Sequence, residues 1–252
     1  MVRLTITTWN LQGSKGVDVE AVAGHLREQN PDVVLLQEVQ RRQARDIRWA
    51  LGAKTLHWSF KHWPVRVPAE GMAILGLTVP LSVRARGITH RWNPFTWRRR
   101  IIQLGRVVGD EVDDDSPAIV NVHLTPHGPT SEADRAAEVA WLLRRLQPTR
   151  DTVVGGDFNA ASTDVIFAGL TNEGLRDAWP TVHGLNGTSG NTNWHGPRNR
   201  APNKRIDYLW ASGHLFVEDA EVPAFGTPGF ETYPGLSDHL PLTARFAAPA
   251  ED

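Results

Sequence analysis

The sequence predicts an α/β fold, because strand-like and helix-like segments alternate along it. Runs of β-branched and other apolar residues have the length of strands, and segments with the apolar spacing of amphipathic helices lie between them. The length of 252 residues suits one large α/β domain or two small ones. Since no internal repeat or low-complexity linker divides the chain, we expect a single domain over residues 1–252.

The first predicted unit is strand, helix, strand. Its elements are a strand over residues 4–10, a helix over residues 18–29 and a buried strand over residues 32–38. The helix ends at Asn30-Pro31, because proline disfavours helical backbone in the residue before it. Both strands end in a polar residue, Asn10 and Glu38.

The remaining elements continue this alternation. We predict strands over residues 71–76, 118–124, 152–157, 205–210 and 240–246 and a helix over residues 131–146. Ser131 and Asp134 have the spacing of a capping pattern at the start of that helix. The acidic run 110–115 is expected to form an exposed turn, because like charges so close together repel one another when buried.

Composition indicates a folded and soluble protein, with a hydrophobic fraction of 40% and a charged fraction of 22%. No apolar stretch of about 18 residues could span a bilayer, and the first residues lack the apolar core of a signal peptide. We therefore expect no membrane span and a cytoplasmic location. The chain has no cysteine, so any metal must be bound by oxygen or imidazole.

The net charge of −1 conceals an uneven distribution. Residues 1–109 contain 17 Lys and Arg against 7 Asp and Glu, whereas residues 110–252 contain 10 against 21. A basic half is only a weak indication of a polyanionic partner, since halves of a sequence need not be halves of the folded molecule.

Polar residues recur at the ends of the predicted strands. They are Asn10, Glu38, His123, Asp157, Asn159, Asp207, Asp238 and His239. Each alone has an ordinary structural explanation: a strand histidine is usually a hydrogen-bonded core residue, and residues 157–159 could form an Asx turn. Their recurrence at strand ends favours a shared site.

The residue types suit hydrolysis of a phosphate ester. Hard divalent cations prefer oxygen ligands. The residues that can supply them are Glu38, Asp157, Asn159 and Asp238. Hydrolysis also needs a base for the attacking water and stabilisation of the charge that develops on phosphate, and His123 and His239 suit both roles. Asp207 is the candidate carboxylate partner of His239.

Six short motifs occur in order along nearly the whole chain. They are Thr8-Trp9-Asn10, Leu36-Gln37-Glu38, Val122-His123-Leu124, Gly155-Gly156-Asp157-Phe158-Asn159, Arg205-Ile206-Asp207-Tyr208 and Ser237-Asp238-His239-Leu240-Pro241. On these motifs the chain resembles the endonuclease/exonuclease/phosphatase family, which includes pancreatic-type deoxyribonucleases, abasic-site endonucleases, bacterial sphingomyelinases and inositol polyphosphate 5-phosphatases. The resemblance implies a four-layer sandwich of two packed, mostly antiparallel β-sheets flanked by helices, with the site at one end.

The resemblance also implies a cofactor, Mg²⁺, for which Mn²⁺ can substitute. The implied metal-side residues are Asn10, Glu38, Asp157, Asn159 and Asp238, with Glu38 as the principal ligand. Asp157 also resembles the carboxylate that aligns the attacking water, and Asn159 the residue that contacts the scissile phosphate. His239 with Asp207 resembles the family's His-Asp pair.

His123 stands where the deoxyribonuclease and sphingomyelinase branches use histidine. Abasic-site enzymes typically use tyrosine there, which counts against abasic-site repair. Glu70 stands where the deoxyribonuclease branch places the partner of that histidine. The alternative for Glu70 is an exposed glutamate at the start of a strand.

An arginine-rich segment supports a nucleic-acid substrate. Seven arginines and no acidic residue lie between Arg84 and Arg106, interleaved with aromatic residues. Such a mixture suits phosphate contacts and base stacking, although an exposed hairpin with arginine stems laid over tryptophans is the alternative. The substrate contacts that we expect are Trp97, Arg98, Arg99, Arg100 and, in a predicted rim loop over residues 190–200, Trp194.

Together these observations predict a metal-dependent phosphodiester hydrolase, with a nuclease that cleaves DNA or RNA by in-line attack of an activated water as the favoured subtype. The alternative enzyme is a phosphatase or phosphodiesterase for small-molecule or lipid-derived phosphates. The alternative of another class is a non-catalytic binding module on the same scaffold, against which the intact set of acids and histidines argues. The sequence indicates no partner protein.

Overall fold

The computed structural model describes residues 3–61, 69–88, 100–108, 117–128, 130–146, 151–184, 190–194, 201–212, 214–231 and 235–248. The strands are β1 (Arg3–Asn10), β2 (Val33–Gln40), β3 (Thr55–Phe60), β4 (Glu70–Gly76), β5 (Leu81–Gly87), β6 (Ile101–Val107), β7 (Ala118–His123), β8 (Thr152–Asp157), β9 (Arg176–Asp177), β10 (Asp207–Ala211), β11 (Phe216–Glu221) and β12 (Leu242–Ala247). The helices are α1 (Val19–Gln29), α2 (Arg41–Leu51), α3 (Ser131–Leu143), α4 (Ile166–Asn172) and α5 (Ala178–His183), with a 3-10 turn at Gly13–Lys15.

The strands of the described chain form two six-stranded sheets. Their orders are β11-β12-β1-β2-β4-β3 and β5-β6-β7-β8-β10-β9. Each sheet contains one parallel pair, β1 with β2 and β7 with β8, among antiparallel neighbours. Because parallel strands end at the same edge of a sheet, Asn10 and Glu38 lie at one edge of the first sheet. At the corresponding edge of the second sheet, His123 and Asp157 are register partners.

Alternating side chains divide the core into layers. Val33 and Leu35 of β2 pack into the cluster between the two sheets, whereas Val34 and Leu36 pack with residues of α1 and α2. On the second sheet Tyr208 packs outward in a cluster with residues of α3 and α4. The resulting order of helices, sheet, sheet and helices confirms the predicted four-layer sandwich.

Every helix and strand predicted from the sequence is present, with ends shifted by up to three residues. The predicted cap of α3 is wrong by one position. Thr130 is the N-cap, whereas Ser131 is the first helical residue and its hydroxyl donates to the carbonyl of Gly128. The acidic run 110–115 lies outside the described residues.

The described ends of the arginine-rich segment form an antiparallel pair, because β5 and β6 are neighbours with Arg84 opposite Leu104. This agrees with the hairpin alternative for those residues. Trp97, Arg98 and Arg99 lie outside the described residues. No helix of the described chain is both long and apolar enough to span a membrane.

Candidate active site

The candidate site lies at the end of the space between the two sheets. On β7, Ile119 is in the apolar cluster between the sheets, Asn121 is buried in a polar layer, and His123 ends the strand. The same two-residue period on β8 leads from Val153 to Asp157. Strand alternation therefore aims both terminal side chains into the gap between the sheets.

A buried amide network separates the site from the apolar core. Gln37 Nε2 donates to Asn121 Oδ1 over 2.7 Å, and Asn121 Nδ2 donates to Gln103 Oε1 over 3.0 Å. All three side chains have no solvent exposure. These bonds cross from β2 to β7 and β6, so the network fixes one sheet relative to the other directly below the site.

Glu38 enters the site because of a bulge in β2. Leu36 pairs with Ala73 and Val39 with Gly71, so β2 has one residue more than β4 between these pairs. Glu38 has a φ of 50°, in the left-handed region. In a regular strand Glu38 would share the helix-facing side of Leu36, and the bulge turns its carboxylate toward His123 instead, with Oε1 at 3.7 Å from Nε2.

Gly155 and Gly156 are required where β8 approaches its neighbours. A Cβ at Gly155 would lie 2.5 Å from a Leu209 methyl group, and one at Gly156 would lie 2.0 Å from the carbonyl oxygen of Val122. Gly156 also has a φ of 144°, which a side chain would strain. The glycine pair therefore brings Asp157 close to β7 and β10.

Asp157 is the centre of the candidate site. Its Oδ2 accepts a hydrogen bond from Asn10 Nδ2 over 3.0 Å, and it lies 3.6 Å from His123 Nε2 and 4.0 Å from His239 Nε2. Its Oδ1 accepts from the backbone N–H of Asn159 over 2.8 Å. Residues 157–159 therefore form the Asx turn and also contribute to the site. One carboxylate thus joins residues from both sheets.

The predicted pairing of His239 with Asp207 is present. His239 Nδ1 lies 2.8 Å from Asp207 Oδ2, which also accepts the Thr192 hydroxyl over 2.6 Å. Because the carboxylate accepts, Nδ1 carries the proton of this bond and Nε2 faces Asp157. Trp9 Nε1 donates to the carbonyl of His239 over 2.9 Å and holds its backbone.

His123 has a partner that the sequence did not predict. Lys61 Nζ lies 2.8 Å from His123 Nδ1, and both side chains are almost fully buried. In its ammonium form Lys61 can only donate, so Nδ1 then accepts and the proton is on Nε2, which lies 3.7 Å from Glu38 Oε1 and 3.6 Å from Asp157 Oδ2. Burial and the nearby charge of Arg100 lower the pKa of Lys61 to about 7.

Asp238 joins the site through Gln12. Gln12 Nε2 donates to Asp238 Oδ2 over 2.7 Å, and its backbone N–H donates to Asn10 Oδ1 over 3.1 Å. Burial, and further the charge of Glu38, raise the pKa of Asp238. The two carboxylates are therefore near enough to repel one another.

The donor set fits a divalent cation. Burial and the charge of Asp207 raise the pKa of Asp157 to about 7, which shows an excess of carboxylate charge that a cation would offset. Asp157, Asp207 and His239 offer ligand atoms within 4.8 Å of one another. Asp207 Oδ1 is buried with no hydrogen-bond partner in the described chain. Carboxylate oxygens of this kind are what Mg²⁺ prefers.

The surrounding carboxylates stabilise the charged form of His239. Burial alone would lower its pKa, but the carboxylates of Asp207, Asp157 and Asp238 together raise the pKa of His239 to about 10. At neutral pH the imidazole is therefore protonated, and it donates hydrogen bonds from both nitrogens.

Other predicted residues have different surroundings from those expected. Glu70 is partly buried and accepts from the backbone N–H of Ser14 over 2.7 Å, while the hydrogen bond at His123 Nδ1 comes from Lys61. Asn159 Nδ2 donates to the carbonyl of Leu124 over 3.0 Å, which orients its amide beside Asp157.

Two predicted substrate contacts are buried to different degrees. Arg100 is 6% exposed, and its charge acts on Lys61 and Glu138. Trp194 is partly buried, with its ring centroid 6.1 Å from that of Phe225. In the predicted rim loop, Asn193 bridges to His239, so the described part of the loop borders the site.

Lys61, Gln12 and Thr192 are the site residues that the sequence analysis missed. Lys61 directly follows β3, so the rule that polar residues at strand ends mark the site would have identified it if that strand had been predicted. Thr192 lies inside the predicted rim loop. Gln12 has no sequence signal of its own, because its role depends on the left-handed backbone that it adopts, with a φ of 45°.

Comparisons with known proteins give one family match and several similar folds. A model of the Endonuclease/Exonuclease/phosphatase family matches residues 7–239. Among solved structures, the fold resembles an endonuclease/exonuclease/phosphatase from Beutenbergia cavernae DSM 12333, with 19% identity, a TM-score of 0.78, and coverage of 98% of this chain and 72% of that chain. The catalytic domain of human Nocturnin with bound sulfate anion gives 21% identity, a TM-score of 0.74, and coverage of 98% and 94%.

A third structure, D. rerio TDP2 humanized by 14 mutations, gives 16% identity, a TM-score of 0.73, and coverage of 98% of this chain and 99% of that chain. At these identities the structural likeness concerns the fold alone. No curated protein matches the sequence.

Proposed function

Because the chain belongs to the endonuclease/exonuclease/phosphatase family, whose members are generally hydrolytic phosphoesterases that use divalent metals, we propose that it is a Mg²⁺-dependent phosphodiester hydrolase and specifically a nuclease. The observation that carries this proposal is the position of Asp157, whose Oδ2 lies within 4.0 Å of His239 Nε2 and within 3.6 Å of His123 Nε2. One buried carboxylate between two imidazoles can align a water against a phosphate held by both rings.

Glu38, together with Asn10 and Asp238, would hold Mg²⁺. When bound, it supplies positive charge to the phosphoryl oxygens and the leaving oxygen. Asp207 is already engaged by His239 and Thr192. A doubly protonated His239 has no lone pair for a metal, so the cluster of Asp157, Asp207 and His239 is not the metal site in this state. We therefore assign Asp207 to the histidine pair and the metal to the Glu38 side.

Asp157 acts on the attacking water. Its pKa of about 7 matches the condition for a base that takes up a proton at neutral pH. The Nδ2 of Asn10 and the N–H of Asn159 fix its two oxygens, so its orientation is set before substrate binds. Asn159 also contacts the scissile phosphate.

His239 stabilises the charge that develops on phosphate. With a pKa of about 10 it is a cation at neutral pH, so it donates a hydrogen bond from Nε2 rather than accepting a proton. Asp207 holds the ring by the bond to Nδ1. His123 donates from Nε2 on the opposite side, with Lys61 and Arg100 adding positive charge behind it.

The human Nocturnin catalytic domain, which has a similar fold, was solved with a bound sulfate, a tetrahedral anion like phosphate. A nucleic acid is the favoured substrate, because the segment from Arg84 to Arg106 contains seven arginines and no acidic residue. Of these arginines, Arg84 and Arg86 are exposed on β5. Phosphatase activity on small phosphates is the alternative that the substrate panel below distinguishes.

The test is hydrolysis of single- and double-stranded DNA, RNA, sphingomyelin, inositol phosphates and a generic phosphodiester, each with Mg²⁺, Mn²⁺ or EDTA. His239→Ala is compared with His214→Ala, the same change at an exposed histidine. We expect metal-dependent cleavage of nucleic acid that His239→Ala abolishes and His214→Ala leaves intact. Cleavage that survives EDTA or His239→Ala would contradict the proposal, and turnover of small phosphates alone would favour the alternative.

A further inference from the structure

An open groove lies between helix α2 and strand β3, at the edge of the first sheet. Its volume is about 880 Å³. It is lined by Arg41, Arg42, Arg45, Leu56, His57 and Trp58. The helix supplies one charged wall and the strand supplies the other, which is largely apolar.

The charged wall suits an anion. Arg41, Arg42 and Arg45 are exposed, and no carboxylate is among the described residues that line the groove. The nearest acid is Asp46, which lies 3.6 Å from Arg42 and 3.2 Å from Arg45. Exposed ion pairs of this kind contribute little and are screened by salt, so both guanidinium groups can turn toward a ligand. Three arginines against one aspartate leave a net positive wall.

The strand wall presents an aromatic ring in a fixed position. Trp58 Nε1 donates to the carbonyl of Val39 over 2.9 Å, and the ring packs so closely on Gly71 that a Cβ there would lie 2.6 Å from it. A tryptophan beside arginines is the combination that binds single-stranded nucleic acid, because a base stacks on the ring while guanidinium groups bind its phosphates.

Both walls of the groove lead directly from the active site. Arg41 follows Glu38 by three residues, and Trp58 precedes Lys61 by three. At about 3.3 Å per residue of strand, Trp58 lies roughly 10 Å from Lys61 along β3. Phosphates of one strand of a duplex are about 3.4 Å apart along the axis and those of an extended single strand are farther apart, so this distance corresponds to at most roughly three nucleotides.

We propose that this groove binds the phosphate backbone of a single nucleic-acid strand whose scissile phosphate occupies the active site, with a base stacked on Trp58. The inference rests on the proposed function and narrows its substrate to a strand that extends several nucleotides to one side of the cleaved bond. A dinucleotide or a small diester reaches the active site without contacting the groove.

The test measures binding separately from cleavage. The triple variant Arg41→Ala, Arg42→Ala, Arg45→Ala is titrated in EDTA with a fluorescein-labelled oligothymidylate of about 12 nucleotides. Its matched control removes three exposed arginines from other elements, Arg144→Ala, Arg145→Ala, Arg245→Ala. We expect the groove variant to lose affinity about tenfold or more and its log–log salt slope to fall by about 2, since each single-strand phosphate contact contributes about 0.7.

Hydrolysis then separates this inference from the proposed function. With Mg²⁺, the groove variant should cleave a generic phosphodiester at the wild-type rate and the oligonucleotide with a raised KM. Equal oligonucleotide affinity in the groove and control variants would overturn the inference while leaving the nuclease proposal intact. A loss of affinity for duplex DNA alone, with single-strand affinity unchanged, would also overturn it. Wild-type protein that binds the strand through the groove without cleaving any nucleic acid would overturn the proposed function instead.

Discussion

Lys61 Nζ lies 2.8 Å from His123 Nδ1, although the two residues are 62 positions apart in the chain. Lys61 directly follows β3, at the edge of the first sheet, whereas His123 ends β7 in the second. The contact therefore spans the gap between the sheets at the level of the candidate site. It also orients the imidazole so that Nε2 points at the carboxylates.

Lys61→Met should lower kcat by about 100-fold, comparable to the loss of one preorganised donor in other enzymes. The same change should leave the melting temperature near the wild-type value, because the avoided cost of burying an ammonium group offsets the lost hydrogen bond to His123. The measurement is steady-state hydrolysis alongside a thermal melt. Lys54→Met, at an exposed lysine, is the control. If activity and melting temperature fell together, a purely structural role for Lys61 would explain the result.

Asp207→Asn should lower kcat by about 10⁴-fold, as expected when a catalytic histidine loses the buried carboxylate that orients its ring and stabilises its positive charge. The pKa of His239 should fall as well, because Asp207 is the main group that raises it. NMR titration of the His239 ring in the metal-free protein measures this directly. An unchanged His239 pKa in the variant would show that Asp207 does not control it.

The metal-free protein should lose stability as pH rises. Asp157 has a folded pKa of about 7 against an ordinary value of 3.8, so its contribution is complete below about 4 and is lost as pH rises through 7. His239 has a folded pKa of about 10 against an ordinary value of 6.5, so its contribution to stability is likewise lost as the pH rises from 6.5 to 10. Above pH 7 the loss from His239 is opposed by Lys61, whose folded pKa of about 7 lies below its ordinary value of 10.5, so the test range ends at pH 7. The free energy of unfolding, measured by urea titration from pH 5 to 7, should therefore fall. Asp157→Asn should flatten the acidic part of the curve, and a rise in stability over this range would contradict the assignment.

Mg²⁺ should raise the melting temperature, and more at pH 8 than at pH 5, because protons and the cation compete for the same carboxylates. Glu38→Gln should remove most of this effect. Glu218→Gln, at a carboxylate that pairs with Arg3 on β1, is the matched control and should retain it. A Mg²⁺ shift of equal size in both variants would place the cation elsewhere.

Asn121→Leu should destabilise the fold by about 3 kcal/mol, because it removes the buried hydrogen bonds of Asn121 with Gln37 Nε2, with Gln103 Oε1 and with the carbonyls of Leu36 and Ala73. Ile119→Leu, on the same face of β7, conserves volume and should cost less than about 1.5 kcal/mol. Urea unfolding measures both. Similar losses in the two variants would indicate that the network contributes packing rather than hydrogen bonding.

The sequence predicted the ends of the central strands better than the parts of the site that depend on backbone detail. Asp207 and His239 were paired correctly, since both follow apolar runs and their chemistry is complementary. Lys61 was missed because β3 was not predicted as a strand, although its sequence alternates polar and apolar residues from Thr55 to Phe60. The orientation of Glu38 depends on a bulge, and a bulge is set by pairing with β4 rather than by local propensity.

The burial of Arg100 shows a further limit of prediction from the sequence. An arginine beside a run of arginines and tryptophans predicts an exposed contact, yet Arg100 is buried next to the site because it directly precedes β6. Composition indicates what a segment can bind, whereas the sheet decides which member of the segment is buried.

The pairing of β12 with β1 has a consequence for the newly synthesised chain. Residues 238 and 239 directly precede β12, and they complete a site whose other members come from strands made much earlier. The site is therefore complete only when β12 has docked between β1 and β11, so it forms together with that end of the first sheet.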